Sequence, residues 1–391
     1  MLRSLYSGIS GLRSHQTMLD VTGNNIANVN TAGFKSSSVQ FEDTLSQLTK
    51  GASAPAGAAG GSNPAQVGLG VQVAGISTNF NQGSAQATGK STDMMIAGDG
   101  FFAVNAGGEQ LYTREGSFSL DASGRLVTPS GATLQGWSAA NGVINAGGAT
   151  GDITVSSTAL AAARATTTAT VSGNLPGESA AGATLNRQIS VYDATGNAAP
   201  LNLAFTRNAA GGWDVSGTDA AGNTGTATLA FNNGTLTGPA ALNVGGVNVD
   251  LSKVTGYTGM TSVTIDGQNG TAAGTLESFS ITSDGTIMGS FSNGAKQPVG
   301  QVALAKFTNP GGLEKAGNSG YRVSANSGDA VLGAAGAAGF GDISAGSLEM
   351  SNVDLSQEFT NLIVAQRGFQ ANARIITTSD QVLQELVDLK R

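Results

Sequence analysis

The chain has no cysteine among its 391 residues and a single histidine, His15. Disulfide frameworks, thiolate nucleophiles and zinc ribbons are therefore excluded, and a His-based metal site or hydrolase triad has too few members. Charge is scarce: 12% of residues are Asp, Glu, Lys or Arg, about half the usual quarter. Its balance is acidic, at −7, which removes the basic footprint of a nucleic-acid binder. Aromatics reach only 5%, leaving few large anchors for one deep core. Proline occurs eight times and no Gly-X-Y period exists, so a collagen-like chain is excluded. No apolar run attains the roughly 18 residues that span a bilayer. The opening MLRSLYSGISGLRSHQTMLD lacks a signal-peptide core and no small-residue cleavage site follows; any export is expected to proceed without a cleaved signal.

Glycine is abundant, at 58 residues, about twice the ordinary share, and Ala, Thr, Ser, Asn and Val dominate the remainder. Such a composition suits thin β-structure with many tight turns. The two ends differ. Leu2, Leu5, Ile9, Leu12, Gln16, Leu19, Gly23 and Ile26 alternate three- and four-residue spacings, the mark of a coiled-coil seam. At the other end Leu355, Phe359, Leu362, Gln366, Phe369, Ala373, Ile376, Asp380, Leu383 and Val387 repeat the pattern. Ser351 or Asn352 is expected to cap this second helix, with Asp354 and Glu358 near its positive end and Lys390 and Arg391 near its negative end. Helices over 2–25 and 354–389 would measure about 36 and 54 Å.

Between the ends the pattern is β. Runs at 94–104, 116–120, 187–192, 201–206, 225–231, 276–282 and 299–307 alternate or are β-branched. Six marks punctuate them: Asp99-Gly100, Asp121 to Gly124, Asp193 to Gly196, Asp219 to Gly222, Asp266-Gly267 and Asp284-Gly285. Asp bonds its own backbone and Gly supplies positive φ, so all six are read as hairpin turns. Calcium loops would need more oxygen ligands at set spacing. Segment 148–275 is poor in large aromatics, whereas its flanks hold more of the Phe, Tyr and Met. The fold class expected is multidomain α+β, with nested mainly-β domains, barrel- or sandwich-like, and a coiled-coil domain made by the two ends. Its parts are 1–30 with 350–391 as a helical assembly domain and 31–80 as a linker or extended arm. An inner β-domain joins 81–147 to 276–349 and carries 148–275 as an inserted outer β-domain.

Convergent catalytic groups are missing from the pattern. Gly68 and Gly70, and Gly98 and Gly100, lack the strand–GxGxxG–helix setting of a nucleotide site, and no Walker lysine, HExxH or GxSxG occurs. Glu42 and Asp43 are adjacent and read as a solvated face, and His15 lies off the heptad seam as an exposed or interfacial residue. Asn233 and Asn269, each in Asn-Gly-Thr, are read as turns in preference to glycosylation acceptors. No enzyme, cofactor or metal site is expected. The ends carry more information. The entropy of ordering the two helices is nearly cancelled by the gain from burying Leu2, Leu5, Ile9, Leu12, Leu19, Ile26, Leu355, Phe359, Leu362, Phe369, Ile376, Leu383 and Val387 together with the helical hydrogen bonds. Gly8, Gly11, Gly23 and Gly368 subtract about 1 kcal/mol each relative to Ala. These thirteen apolar residues are therefore expected to form an assembly interface with other copies.

The motifs at the ends carry a resemblance. Asn24-Asn25-Ile26-Ala27-Asn28-Val29-Asn30-Thr31-Ala32-Gly33-Phe34-Lys35 resembles the signature closing the first helix of bacterial flagellar rod and hook proteins. Met94 to Val104, Tyr112 to Trp137, and Gly346 to Arg391 with its Val364-Ala365-Gln366-Arg367-Gly368-Phe369-Gln370-Ala371-Asn372 are similar to the same family. The match covers a little under half the chain, and the large insert points to the hook branch. The resemblance implies a structural subunit that polymerises helically with its own copies into a curved hollow tube, a universal joint between motor and filament. It further implies export through the flagellar type III apparatus to an extracellular hook on the basal body. Distal rod, hook-cap and hook–filament junction proteins are the implied partners, with no nucleic acid and no membrane insertion. Gln370, Asn372 and Thr377 are expected to line a wet channel. The alternatives are a distal rod protein and a secreted β-rich adhesin trimerised by its ends.

Overall fold

A computed structural model describes residues 2–55, 60–140, 142–156 and 158–388. Both expected helices form: α1, Leu2–Ala27, and α2, Leu355–Asp388, about 39 and 51 Å long at 1.5 Å per residue. They pack together, and the chain between them is mainly β. Lys390 and Arg391 lie outside the described residues. Asp354 is the N-cap of α2, its Oδ1 accepting the Ser356 and Gln357 amides at 2.8 and 3.2 Å. Neither Ser351 nor Asn352 caps it. The Asn352 side chain accepts the Ser36 amide and donates to the carbonyls of Asn79 and Asn81.

After α1 the chain makes a long antiparallel arm. Strand Ser37–Asp43 pairs with Val71–Thr78, and Ser46–Lys50 pairs with Ala65–Gly68. Beyond these strands, Ser53 and Ser62 of the Ala/Gly/Pro-rich stretch form an isolated antiparallel bridge. Beyond the arm, strands from both flanks interleave in one 14-stranded sheet. Thr133–Ala140 pairs with Lys296–Lys306, which also pairs with Phe101–Ala106. Met94, Ile96, Phe102, Phe118, Leu126 and Leu134 from the first flank share a core with Ile287, Val302, Leu304 and Ile343 from the second.

A separate core is built from residues 169–263, around Trp213, Phe205, Leu201, Val171 and Val249. It is enclosed by a four-stranded meander, Thr184–Tyr192, Ala198–Arg207, Trp213–Thr218 and Thr224–Leu229, and by a second four-stranded sheet. In that second sheet Thr168–Asn174 and Val247–Thr255 run parallel. Period-two alternation is plain in Trp213–Thr218, where Trp213, Val215 and Gly217 point inward and the residues between them outward. Gly217 is required there, since a methyl group on it would lie 2.3 Å from Val244 Cγ2. Residues 151–161 belong elsewhere than expected. Gly151–Asp152 and Leu160–Ala161 pair with flank strands, and Ile153 and Val155 sit in the flank-built core. The self-contained segment thus begins after Arg164, not at 148.

Four of the six Asp/Gly marks are hairpin turns. Gly124, Gly196, Gly222 and Gly285 all have positive φ between paired strands. Asp99-Gly100 instead links strands of different sheets, since Met94–Ala97 pairs with Asp342–Ala345. Asp266-Gly267 lies inside strand Thr264–Gln268, opposite an irregularity in register. Asn233-Gly234 is a two-residue hairpin with both φ positive. Asn269 makes no hairpin; its side chain accepts the amides of Thr167 and Thr168.

In the Asp193 turn the Thr195 hydroxyl and the Asn197 amide donate to the carboxylate and lower its pKa to about 2. An unfolded Asp titrates near ~3.9. The turn's stabilisation is therefore complete above that value and is lost as pH falls toward the folded one. Carboxyl-carbon NMR titration should give Asp193 a midpoint of about 2; the ordinary aspartate value would contradict the turn.

Candidate assembly site

The α1–α2 contact is made where side chains are small or polar. Gly8, Gly11, Ser14, Thr22 and Asn25 are buried on α1, and Glu358 and Ala365 on α2. Glycine sets the approach. A methyl group on Gly368 would lie 2.5 Å from the His15 ring, and one on Gly11 would lie 2.8 Å from Asn372 Oδ1. His15 is interfacial, meeting Phe41 of the arm edge-on at 5.8 Å between centroids.

Most heptad residues therefore flank the glycine contact and do not centre it; Ile376 enters it, its Cγ1 lying 3.5 Å from where a methyl group on Gly8 would sit. Ile9 is 39% exposed, and Leu5, Leu12, Leu19 and Ile26 are half-buried. On α2, Leu355, Phe359 and Val387 are exposed, while Leu362, Phe369, Ile376 and Leu383 are half-buried. The side chain of Leu2 lies outside the described residues. The reason is steric: helix backbones come closest where glycine removes side-chain volume, and most of the branched residues lie beside that stripe. Phe359 at 52%, Ile363 at 56%, Val364 at 54% and Val387 at 66% leave much of α2's apolar surface open. Val382 and Leu386 extend it, as does the outer part of Ile375, whose Cγ2 also reaches Gly8. Exposed apolar surface of this kind marks an interaction face. Gln16, Gln366 and Asp380, polar positions of the expected seam, are exposed.

Asn372 is the clear correction among the expected channel residues. It packs against Gly11 and donates to the Gly368 carbonyl at 2.9 Å, inside the helix pair. Gln370 and Thr377, seven residues apart on one face of α2, are exposed.

The signature residues join helix to strand. Asn25 donates to the Ser37 carbonyl and to Glu358 Oε1 at 2.8 and 2.9 Å, and accepts the Ser37 amide at 3.0 Å. Asn28 caps the helix end, donating from its side chain to the Asn24 carbonyl and accepting the Thr31 hydroxyl. Asn24, Ala27 and Asn30 are exposed. Gly33 has φ +69°, and a methyl group there would lie 2.5 Å from the Glu115 amide, so only glycine fits. Phe34 lies under Lys315 Nζ, 5.4 Å from the ring centroid.

Next to the signature is a cluster that pattern reading missed. Lys35 and Glu349 form a fully buried ion pair at 2.6 Å, and Arg114 approaches the other carboxylate oxygen at 3.3 Å. Burial lowers the pKa of Lys35 and of Arg114 while the Glu349 carboxylate opposes the shift. Tyr321 beside them is pushed up to about 12, chiefly by burial. The available signal was position: Lys35, Arg114 and Glu349 each fall in a different family-like stretch of a charge-poor chain. Removing one partner of such a pair costs about 3–5 kcal/mol. Among the described residues no group of His, Asp and Glu is placed to hold a metal ion, and no helix is long and apolar enough to cross a membrane.

An open apolar helix face on a rigid β-scaffold defines a structural chain built to associate. Comparison with known proteins gives the same class. Residues 5–35 match the flagella basal body rod protein family, 95–173 the flagellar hook protein FlgE/F/G D1 domain, and 344–389 the flagellar basal body rod FlgEFG protein C-terminal family. Flagellar hook protein FlgE of Borreliella burgdorferi is 40% identical over 100% of both chains. That of Salmonella typhimurium is 37% identical over 99% of this chain and 100% of that protein. Flagellar basal-body rod protein FlgG of Bacillus subtilis is 36% identical over 100% of both. The crystal structure of Helicobacter pylori flagellar hook protein FlgE2 superposes with a TM-score of 0.47 at 13% identity, over 66% of this chain and 98% of that one. The chain belongs to the flagellar hook protein family, a structural family of the bacterial flagellum.

Two glycine substitutions separate contact from helix propensity. Gly368→Ala should lower stability by about 1–3 kcal/mol through overpacking against His15. Gly23→Ala, with nothing within 4 Å of the new methyl group, should raise it by about 1 kcal/mol. Thermal unfolding followed by far-ultraviolet circular dichroism reads both; equal shifts would refute the close contact.

Proposed function

We propose that this chain is the subunit of the flagellar hook, polymerising helically into a curved hollow tube that passes motor torque to the filament. The observation carrying the proposal is full-length similarity to hook proteins in a chain whose terminal helices leave their apolar faces open. Paired α1 and α2 form the inner tube, the flank-built β-domain (81–147 with 276–349) the middle shell, and the inserted β-domain within 148–275 the outside. The assembly face consists of the heptad residues turned away from the helix pair: Leu5, Ile9 and Leu12 on α1, and Phe359 and Val387 with Ile363, Val364, Ile375, Val382 and Leu386 on α2. Gln370 and Thr377 line the channel.

Bending requires copies on the inner side of the curve to approach and those on the outer side to separate once per revolution. Apolar helix contacts hold the tube together, while the weakly charged, small-residue surfaces of the outer domain slide. Distal rod, hook-cap and junction proteins contact the tube's ends, and the type III apparatus exports the chain. The distal rod reading follows from the FlgG relative. Complementation decides it: restored hooks in a hook-deletion strain support the hook, and restored rods in a rod-deletion strain support the rod.

Val364→Asp and Val382→Asp replace side chains that are 54% and 40% exposed and belong to none of the β-cores. Each should leave the monomer's unfolding temperature within about 1 °C, since surface changes cost little, and abolish tube growth seen by electron microscopy. Normal tubes from both variants would overturn the proposed face. Amide exchange in α1 and α2 should slow on polymerisation.

A further inference from the structure

Three stretches of chain meet at the base of the helical pair: residues 28–37 lead from α1 into the arm, 78–85 from the arm towards the flank-built β-structure, and 345–354 into α2. Glu349 stands where they meet. Its Oε1 accepts Lys35 Nζ at 2.6 Å and the Gly83 amide at 2.9 Å, and its Oε2 faces Arg114 at 3.3 Å. Its backbone carbonyl accepts the Gly33 amide at 2.7 Å. Lys35 continues to the Asn81 carbonyl at 2.7 Å, and Arg114 to that of Gly98 at 2.8 Å. Each of these stretches is thus tied to the others, and to the flank-built sheet, through the buried side chains of Lys35, Arg114 and Glu349. Asn352 adds a second bracket, joining Ser36, Asn79 and Asn81.

The outer junction is built differently. The flank-built and inserted β-structures are joined by two chain crossings beside the isolated bridge pairing Arg164 with Thr271. A cavity of about 630 Å³ lies on the flank-built side of these crossings, with Leu160, Arg164, Phe291 and Pro298 in its wall. Buried ion pairs add little net stability, but their geometry is costly to leave, which suits them to fixing orientation.

We propose that Glu349 is a positioning residue that locks the helical pair and the flank-built β-structure into one stiff lever, so that compliance lies at the outer junction. In the reading above, which this inference extends, load enters through the helices and crosses Glu349 without loss of angle.

Because the chain has no cysteine, Gln370→Cys with Ser123→Cys gives a unique spin-label pair across the Glu349 crossing. Ser123→Cys with Ala221→Cys spans the outer junction. Distances are read on the full-length monomer by double electron–electron resonance. The first pair should give a narrow distribution that at least doubles in width in Glu349→Gln. The second should be broader from the start and unmoved by that change. Lys35→Met, which leaves Arg114 as counter-ion, should widen the first pair in the same direction and decides the matter if Glu349→Gln does not fold. Unchanged widths in the folded variants, or an outer pair as narrow as the inner, would overturn the proposal. Tube formation by the wild-type chain is scored separately: its absence would refute the hook reading and leave the distance result standing.

Discussion

Two helices can approach no closer than their side chains allow, and that limit organises this molecule. Where Gly8, Gly11 and Gly368 remove the side chains, α1 and α2 come together. Most of the larger apolar residues of the helices are consequently displaced to the flanks of the pair, with Ile375 and Ile376 reaching in over Gly8. A subunit with bulky residues in its own seam would satisfy itself. Here the closest internal contact is made with the smallest groups, and many of the branched ones stay open. Pairing within the chain and openness to other chains are therefore two results of one packing choice.

The same division of labour holds at the base of the helices, with polar groups in place of glycine. Asn25 and Glu358 bond within the pair, while Glu349 gathers Lys35 and Arg114 below it. An apolar junction of equal size would tolerate small rotations, since dispersion contacts have little directional preference. Hydrogen bonds to a carboxylate and to backbone carbonyls do not share that tolerance.

Both helices were legible because the spacing of Leu2 to Ile26 and of Leu355 to Val387 is written in hydropathy. Their mutual face was not, because glycine carries no hydropathic signal and only geometry reveals what it makes room for. Hairpins at Asp121, Asp193, Asp219 and Asp284 were legible since Asp and Gly perform local chemistry there. Asp266-Gly267 misled because a strand irregularity uses the same pair of residues. Asn352 was misjudged as a cap because its true partners, Ser36, Asn79 and Asn81, lie hundreds of residues away. Lys35 and Glu349, 314 apart in sequence, were invisible to local pattern for the same reason.

The long arm after α1 has one more consequence. Its outer half is a two-stranded ribbon, Ser46–Lys50 against Ala65–Gly68, exposed throughout and open along both edges. Unpaired edges recruit foreign strands, and this ribbon is offered to solvent at whatever concentration the free chain reaches. Lys50 and Pro64 stand at its tip end, and a charge and a missing amide donor both discourage a third strand from adding. The subunit thus carries its own protection against stacking in the wrong order.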